Sequence, residues 1–296
     1  MADTSTYALQ TYQAIGSREN LLDVITDISP EETPMFTRFN KYKANAKYME
    51  WQTDSLASAA DNSTIEGADF SFSRPDVRTR VGNYTQIFTN TYAVTESDEA
   101  TDTAGVSSEM AYQASKAMKE HKRDIEYALI NATGGAGTSG SARTLKGVPA
   151  WVSTNQTCGN SCALTEAMYN ALLQNIWDAG GNPDVTYVNG FQKRKISAFS
   201  TENTRYISGE DKKLVNSVAV YESDFGLQTI ILDRYVTASI LLALQEDLWG
   251  IGVFRPSKNV KVAKIADAER AAIVGEYTLV SKNEKGSGEL IALATS

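Results

Sequence analysis

The chain has 296 residues and carries 28 Lys and Arg against 36 Asp and Glu, a net charge of −8. Hydrophobic residues at 42% and charged residues at 22% exclude a disordered chain and fit one large domain or two ordinary ones. The acidic balance excludes a sequence-reading nucleic-acid binder, which needs a basic face, yet suits a surface that encloses nucleic acid and repels its phosphates.

Residues 1–37 are polar and acidic. Asp3, Glu19, Asp23, Asp27, Glu31 and Glu32 face only Arg18, and the Ser-Pro and Thr-Pro steps at Pro30 and Pro34 stop any helix begun by the short amphipathic patch of Leu21, Leu22, Val24, Ile25 and Ile28. Such a segment buries no core of its own and needs an anchor, most simply a neighbouring subunit. Its opening, MADTSTYALQTYQA, has neither a basic nor an apolar stretch, so no secretory leader is expected.

Two extended runs follow, at 42–54 and 77–96, separated by the turn-rich LASAADNSTIEGADFSF. Lys43, Lys47, Arg78 and Arg80 interleave with Tyr48, Trp51, Val81 and Tyr84, so the ribbon is half-polar on both faces. A lone two-stranded ribbon of this kind is marginal in water and exposes edges that invite pairing. It reads as a long arm laid over another molecule; an ordinary edge hairpin on the chain's own sheet is the alternative.

Residues 105–132 carry the strongest helical period. Val106, Met110, Ala114, Ala117, Met118, His121, Ile125, Ala128 and Leu129 form one stripe, and Gly134-Gly135 stand where a C-cap belongs. This pattern suits a long strut across a sheet, with His121 at the stripe edge. The glycines at 135, 137 and 140 spell G-x-G-x-x-G but follow a helix, and Ser141 stands where a phosphate loop needs Lys, so a flexible loop leading to an extended 148–152 is expected.

Residues 146–245 alternate element types, as a compact α/β lobe does. Thr165 caps a helix bearing Met168, Leu172, Ile176 and Trp177, ended by Gly180-Gly181. A strand at 185–188 leads to a helix at 191–199 with Lys193, Arg194 and Lys195 outward. Extended runs follow at 218–222, 229–232 and 238–244. The remainder, 246–296, is β-rich, with runs at 249–254, 260–265, 271–280 and 289–294.

Catalytic motifs are missing. No G-x-S-x-G, H-E-x-x-H or H-x-E with C-x-x-C occurs, and CGNSC at 158–162 is one pair where structural zinc needs four ligands. No catalytic, cofactor-binding or metal-binding residue is assigned. Cys158 and Cys162 are expected to stay reduced in a cell, a local disulfide forming only in an oxidising medium. The four Asn-x-Ser/Thr triplets at Asn62, Asn83, Asn131 and Asn155 read as chance matches without a secretory route. The most apolar run, 236–244, is far shorter than the ~20 residues that cross a bilayer.

The order of parts resembles the major capsid proteins of tailed bacteriophages, the Hong Kong 97-like fold. The resemblance is carried by DVITDISPEETPMF at 23–36, RTLKGVPAW at 143–151, NGFQKRKISAF at 189–199, KKLVNSVAVYESDFG at 212–226 and GEYTLVSKNEKGSGEL at 275–290. It implies an α+β fold divided into an N-terminal arm (1–37), an extended hairpin loop (38–96), a peripheral domain with a spine helix (97–145), an α/β axial domain (146–245) and a closing β segment shared by both (246–296). It implies no enzyme and no cofactor. Pentamers and hexamers of the chain would tile an icosahedral head around double-stranded DNA, without sequence-specific binding or a membrane. Assembly would take place in the bacterial cytoplasm with separate scaffold and portal proteins, because the chain starts directly at the arm or has lost a scaffolding segment. Some members crosslink a loop Lys to a neighbour's Asn; Lys41, Lys43 and Lys47 lie near the loop base, and no pattern selects one. The acidic arm would meet basic patches at Arg78, Arg80 and Lys193–Lys195 to fix register. Two other readings remain: a hydrolase using a carboxylate pair in a cleft, and a secreted β-rich binding module using some of the 14 tyrosines, with a Cys158–Cys162 disulfide.

Overall fold

A computed structural model describes residues 29–69, 72, 74–158, 161–199, 220–264 and 266–295. In chain order the elements are α1 (Pro34–Arg38), β1 (Asn40–Lys43), β2 (Tyr48–Thr53), β3 (Thr79–Tyr84), β4 (Gln86–Thr95), α2 (Glu96–Glu99), α3 (Glu109–Asn131), β5 (Thr133–Gly135), β6 (Thr144–Lys146) and α4 (Val148–Trp151). They continue with β7 (Gln156–Cys158), α5 (Glu166–Asp178), β8 (Val185–Val188), α6 (Gly190–Phe199), β9 (Val220–Ser223), β10 (Gly226–Leu232), β11 (Leu241–Leu244), β12 (Trp249–Val262), β13 (Ala268–Ser281) and β14 (Gly288–Ile291).

Two sheets organise the body. One has the order β1-β12-β13-β4, the other β7-β14-β11-β8-β10-β9. The alternation of side chains along a strand explains how the second sheet serves two cores. Val185 and Tyr187 of β8, with Leu242 and Leu244 of β11, face the core shared with Ile125, Leu129, Trp249 and Leu279. Val188, Leu241 and Ala243 face the opposite core, closed by Tyr169, Leu172, Leu173 and Ile176 of α5 and Ile196 of α6. Both strands are therefore buried throughout, as in a sheet covered on both faces, with the Thr186 hydroxyl hydrogen-bonded to Gln228 and the Tyr169 hydroxyl.

The long helix α3 lies against β4 and β13. It is shorter at its start than the 105–132 read from the sequence, because Ser108 is the N-cap and accepts from the Ala111 N–H at 3.3 Å. Of the expected stripe, Ala117, His121, Ile125, Ala128 and Leu129 are buried. Two further buried residues, Glu126 and Ile130, lie off that stripe. The helix does not end on its glycines: the chain turns extended at Ala132, and Gly134, at φ +82°, sits inside β5.

Several local expectations change. The glycine-rich stretch is a hairpin of β5 and β6, held by the Thr138–Ser141 bridge, rather than a flexible loop. The run at 148–152 is the short helix α4, since Pro149 in its first turn forfeits no helical hydrogen bond. In α5, Thr165 does cap, accepting from the Met168 N–H, but Trp177 is 59% exposed, and Tyr169 and Leu173 take the core positions instead. The two runs at 249–254 and 260–265 are one strand, β12. Its register shifts between Val253 and Lys258 mark an irregular stretch around Pro256, which has no N–H to give the ladder. The closing segment serves both sheets: β12 and β13 join the first and β14 the second.

The expected long hairpin at 42–54 and 77–96 is divided. Its outer ends are β1 and β4, on opposite edges of the first sheet; only β2 and β3 form a free ribbon, paired from Tyr48–Tyr84 to Thr53–Thr79. Beyond that ribbon every described residue from 54 to 80 is exposed. Most of the acidic arm, through residue 28, lies outside the described residues. Its final turn does not extend away: Met35 in α1 is fully buried in the main core.

Candidate assembly surfaces

The ribbon is fixed to the body at one polar knot. Where β3 becomes β4, the Thr85 N–H donates to Lys47 O at 2.9 Å, and Thr85 Oγ1 donates to Glu276 Oε1 at 2.5 Å. Glu276, on β13, is 1% exposed. Arg143 from the β5–β6 hairpin and Arg255 from the irregular stretch of β12 both pair with it, the latter at 2.9 Å. Arg143 Nε also donates to Thr85 O at 2.8 Å. Burial alone pushes the Glu276 carboxyl up; donation from Thr85, Arg143 and Arg255 outweighs it and holds the group below the ordinary carboxylate range. Three segments far apart in sequence thus meet on one buried charge at the ribbon's root.

A second tie is the Asn83 amide, buried on β3. It donates to Leu279 O at 2.8 Å and Lys146 O at 3.0 Å, and its oxygen accepts from the Lys146 N–H at 2.8 Å. Asn155, also buried, bridges Lys285 O and Ser287 O. Two of the four Asn-x-Ser/Thr triplets therefore start at structural amides, closed to modification in the folded chain.

Outside the root the surface is apolar and open. Leu56 is 98% exposed, Ile65 84%, Phe72 95% and Val77 71%. Trp51 of the ribbon packs against Trp151 with ring centroids 5.5 Å apart and the rings tilted by 48°, and its indole nitrogen is buried without an acceptor. A groove of about 660 Å³ runs beside them, bordered by Thr53, Val77, Val81, Trp151, Ser281 and Glu284.

The expected basic patches are largely neutralised within the chain. Arg80 pairs with Glu50 at 2.9 Å and Arg78 with Asp54 at 3.4 Å, each across the ribbon. Lys193 donates to Ile230 O, and Lys195 lies over the Phe191 ring, leaving Arg194 as the outward member of that trio. Of the loop-base lysines, Lys41 donates to Phe36 O, while Lys43 and Lys47 are exposed. Cys162 is exposed, and the chain between it and Cys158 lies partly outside the described residues.

His121 is not at a stripe edge but fully buried. Its Nδ1 meets Asn90 Oδ1 at 2.7 Å and its Nε2 meets Ser257 Oγ at 2.8 Å, with the Tyr277 hydroxyl a further 2.7 Å from that oxygen. The Ser-His-Asn order resembles a nucleophile relay. Yet Ser257 sits in the irregular stretch of β12, and neither His121 nor Ser257 borders any of five surface grooves found among the described residues. The network fastens the strand to the helix; burial pushes the imidazole down and keeps it neutral. Two carboxylates are raised strongly, Glu126 to about 8 and Glu289 to about 7, chiefly by burial. Both are enclosed in the body and border none of those grooves, so they give the carboxylate-pair hydrolase no support.

Relatives share this architecture. The capsid asymmetric unit of cyanophage A-1(L) superposes with a TM-score of 0.71 at 14% identity, covering 97% of this chain and 99% of that one. The capsid of a native GTA particle gives 0.69 at 8% identity over 99% of each chain. A chain of Microbacterium phage Oxtober96 gives 0.67 at 13% identity, covering 94% and 96%. In sequence, the chain is 24% identical to the major capsid protein of Escherichia phage Phieco32 over 340 aligned positions, 96% of each protein. The SU10 major capsid protein family matches residues 3–294. The fold is therefore that of Hong Kong 97-like shells, and the chain belongs to the SU10 major capsid protein family.

Proposed function

We propose that this chain tiles with copies of itself, as pentamers and hexamers, into the icosahedral head shell of a tailed phage. The segment at 54–78 and the N-terminal arm are the parts that reach neighbours. The observation that carries this reading is the loop: Leu56, Ile65, Phe72 and Val77 are large apolar side chains with no cover from their own chain. Apolar surface of this kind marks a contact to be made. The ribbon adds two unpaired strand edges that another chain can extend.

The shell would hold double-stranded DNA without reading it, the net charge of −8 keeping packed phosphate from sticking. The body would act as structure and not as an enzyme. Assembly in the host cytoplasm, with a separate scaffold and a portal, completes the proposal. The arm's boundary needs revision, since deletion of residues 1–37 would remove buried Met35 along with the arm. The decisive variant therefore replaces residues 56–76 with a short Gly-Ser turn. It should keep its circular dichroism and elute as a folded subunit while forming no shells in electron micrographs. Normal shells from that variant would refute the role given to the loop.

A further inference from the structure

The helix α1 has no cap of its own. Thr33 occupies the N-cap position and its side chain makes no capping hydrogen bond. The missing acceptor comes from α3: Glu126 Oε1 accepts the Met35 N–H at 2.8 Å and Oε2 the Phe36 N–H at 2.7 Å, across 91 and 90 residues of sequence. Both carboxylate oxygens of a fully buried side chain are thus committed to the turn through which the N-terminal arm enters the body.

Asp233 faces this carboxylate from the turn between β10 and β11. It is 2% exposed. Its Oδ1 accepts the Tyr235 N–H at 2.8 Å, but Oδ2 is buried and meets no donor. Two carboxylates in contact, one with an orphaned oxygen, are satisfied together only when a proton lies between them. The surroundings offer little compensation. Glu32 adds negative charge near Asp233. Lys41 feels the Glu126 charge but already donates to Phe36 O, and burial lowers its own affinity for a proton. Arg38 and the Tyr187 hydroxyl are both taken by Glu246, and Arg123 donates to the Tyr235 hydroxyl.

We propose that a proton shared by Glu126 and Asp233 is the latch that holds the root of the N-terminal arm on α3, and that losing it loosens residues 33–39. The latch is a property of the single chain and does not rest on the assembly reading. Burial, and then the Asp233 charge, push Glu126 up to about 8, whereas a solvated Glu titrates near 4.5. The docked form therefore binds the proton more tightly than the open form. Docking is strongest below the open-form value, weakens as pH rises from about 4.5 to about 8, and is flat above that.

The test is hydrogen exchange on the full chain from pH 5 to pH 9, corrected for intrinsic exchange rates, read at the amides of Met35 to Phe39. Amides of α5 serve as the internal control. Protection of the root should fall by up to about tenfold per pH unit between pH 5 and pH 8, the limit for one linked proton, while α5 follows a shallower course. In Asp233→Asn the second carboxylate is gone and a carboxamide can donate to Glu126, so the slope should shrink to what burial of Glu126 alone supplies. Glu126→Gln, which keeps one acceptor oxygen and cannot ionise, should shrink it likewise, and stands in if the first variant does not fold. A flat wild-type profile, or an undiminished slope in either folded variant, would overturn the latch.

Discussion

Strands β8 and β11 bury all of their residues, whereas β2 buries none of its own. All three contain large apolar or aromatic side chains, so the difference is not one of composition. The two core strands sit between helices on one side and the first sheet on the other, and their apolar faces are spent inside the chain. The ribbon has one partner strand and nothing over most of its outer length. Stability resides in the first region; the second is the surface proposed to bind other copies.

The joint between them gives the sharpest way to break that division. Glu276 is the common partner of both sides, and Glu276→Ala would leave Arg143 and Arg255 without their shared counter-charge. It should cost ~3–5 kcal/mol, the range for breaking a buried ion pair from one side, and release the ribbon as well. Urea denaturation reads the first effect, and proteolysis within residues 45–85 the second.

A smaller, pH-dependent effect belongs to the body alone. His121 is held below its ordinary value, so the unfolded chain takes up the proton first. The network's contribution is present above about pH 6.5 and is lost as pH falls below it. Thermal midpoints of the wild type should drop between pH 7.5 and pH 5.5, and the drop should be smaller in His121→Gln. Equal drops would mean that the Asn90–His121–Ser257 network does not fasten β12 to the helix.

The smallest effect on stability should come from the loop. Phe72→Ser touches nothing in its own chain and should leave stability within about 0.5 kcal/mol, as exposed substitutions do. If the loop is spent on neighbours, shell yield falls all the same. A large loss of stability would place Phe72 in its own chain's core and erase the contrast drawn above.

Much of the fold was legible because period and capping are local. The spacing of Ala117, His121, Ile125 and Leu129 identified the long helix, Thr165 marked the start of α5, and a short strand was legible at Val185–Val188. The runs read at 249–254 and 260–265 are one strand, because an irregular ladder tolerates Pro256 where a regular one rejects it. The ribbon was legible as a half-polar extended pair, but its length was not. Whether Tyr42 and Phe88 belong to a free arm or to the sheet depends on β12 and β13, which lie far along the chain.

What the sequence determined by itself was the longer helices and most strands, the absence of familiar catalytic motifs and a chain with apolar pieces left over. Only the tertiary structure decided which charges are structural. Glu126 sits one position off the helical stripe and looks like any solvent-facing acid, and Glu276 looks like a strand's outward residue. Their partners are amides and guanidinium groups tens to hundreds of residues away. A local pattern reports burial only when burial is periodic; a carboxylate enclosed by distant donors leaves no period to read.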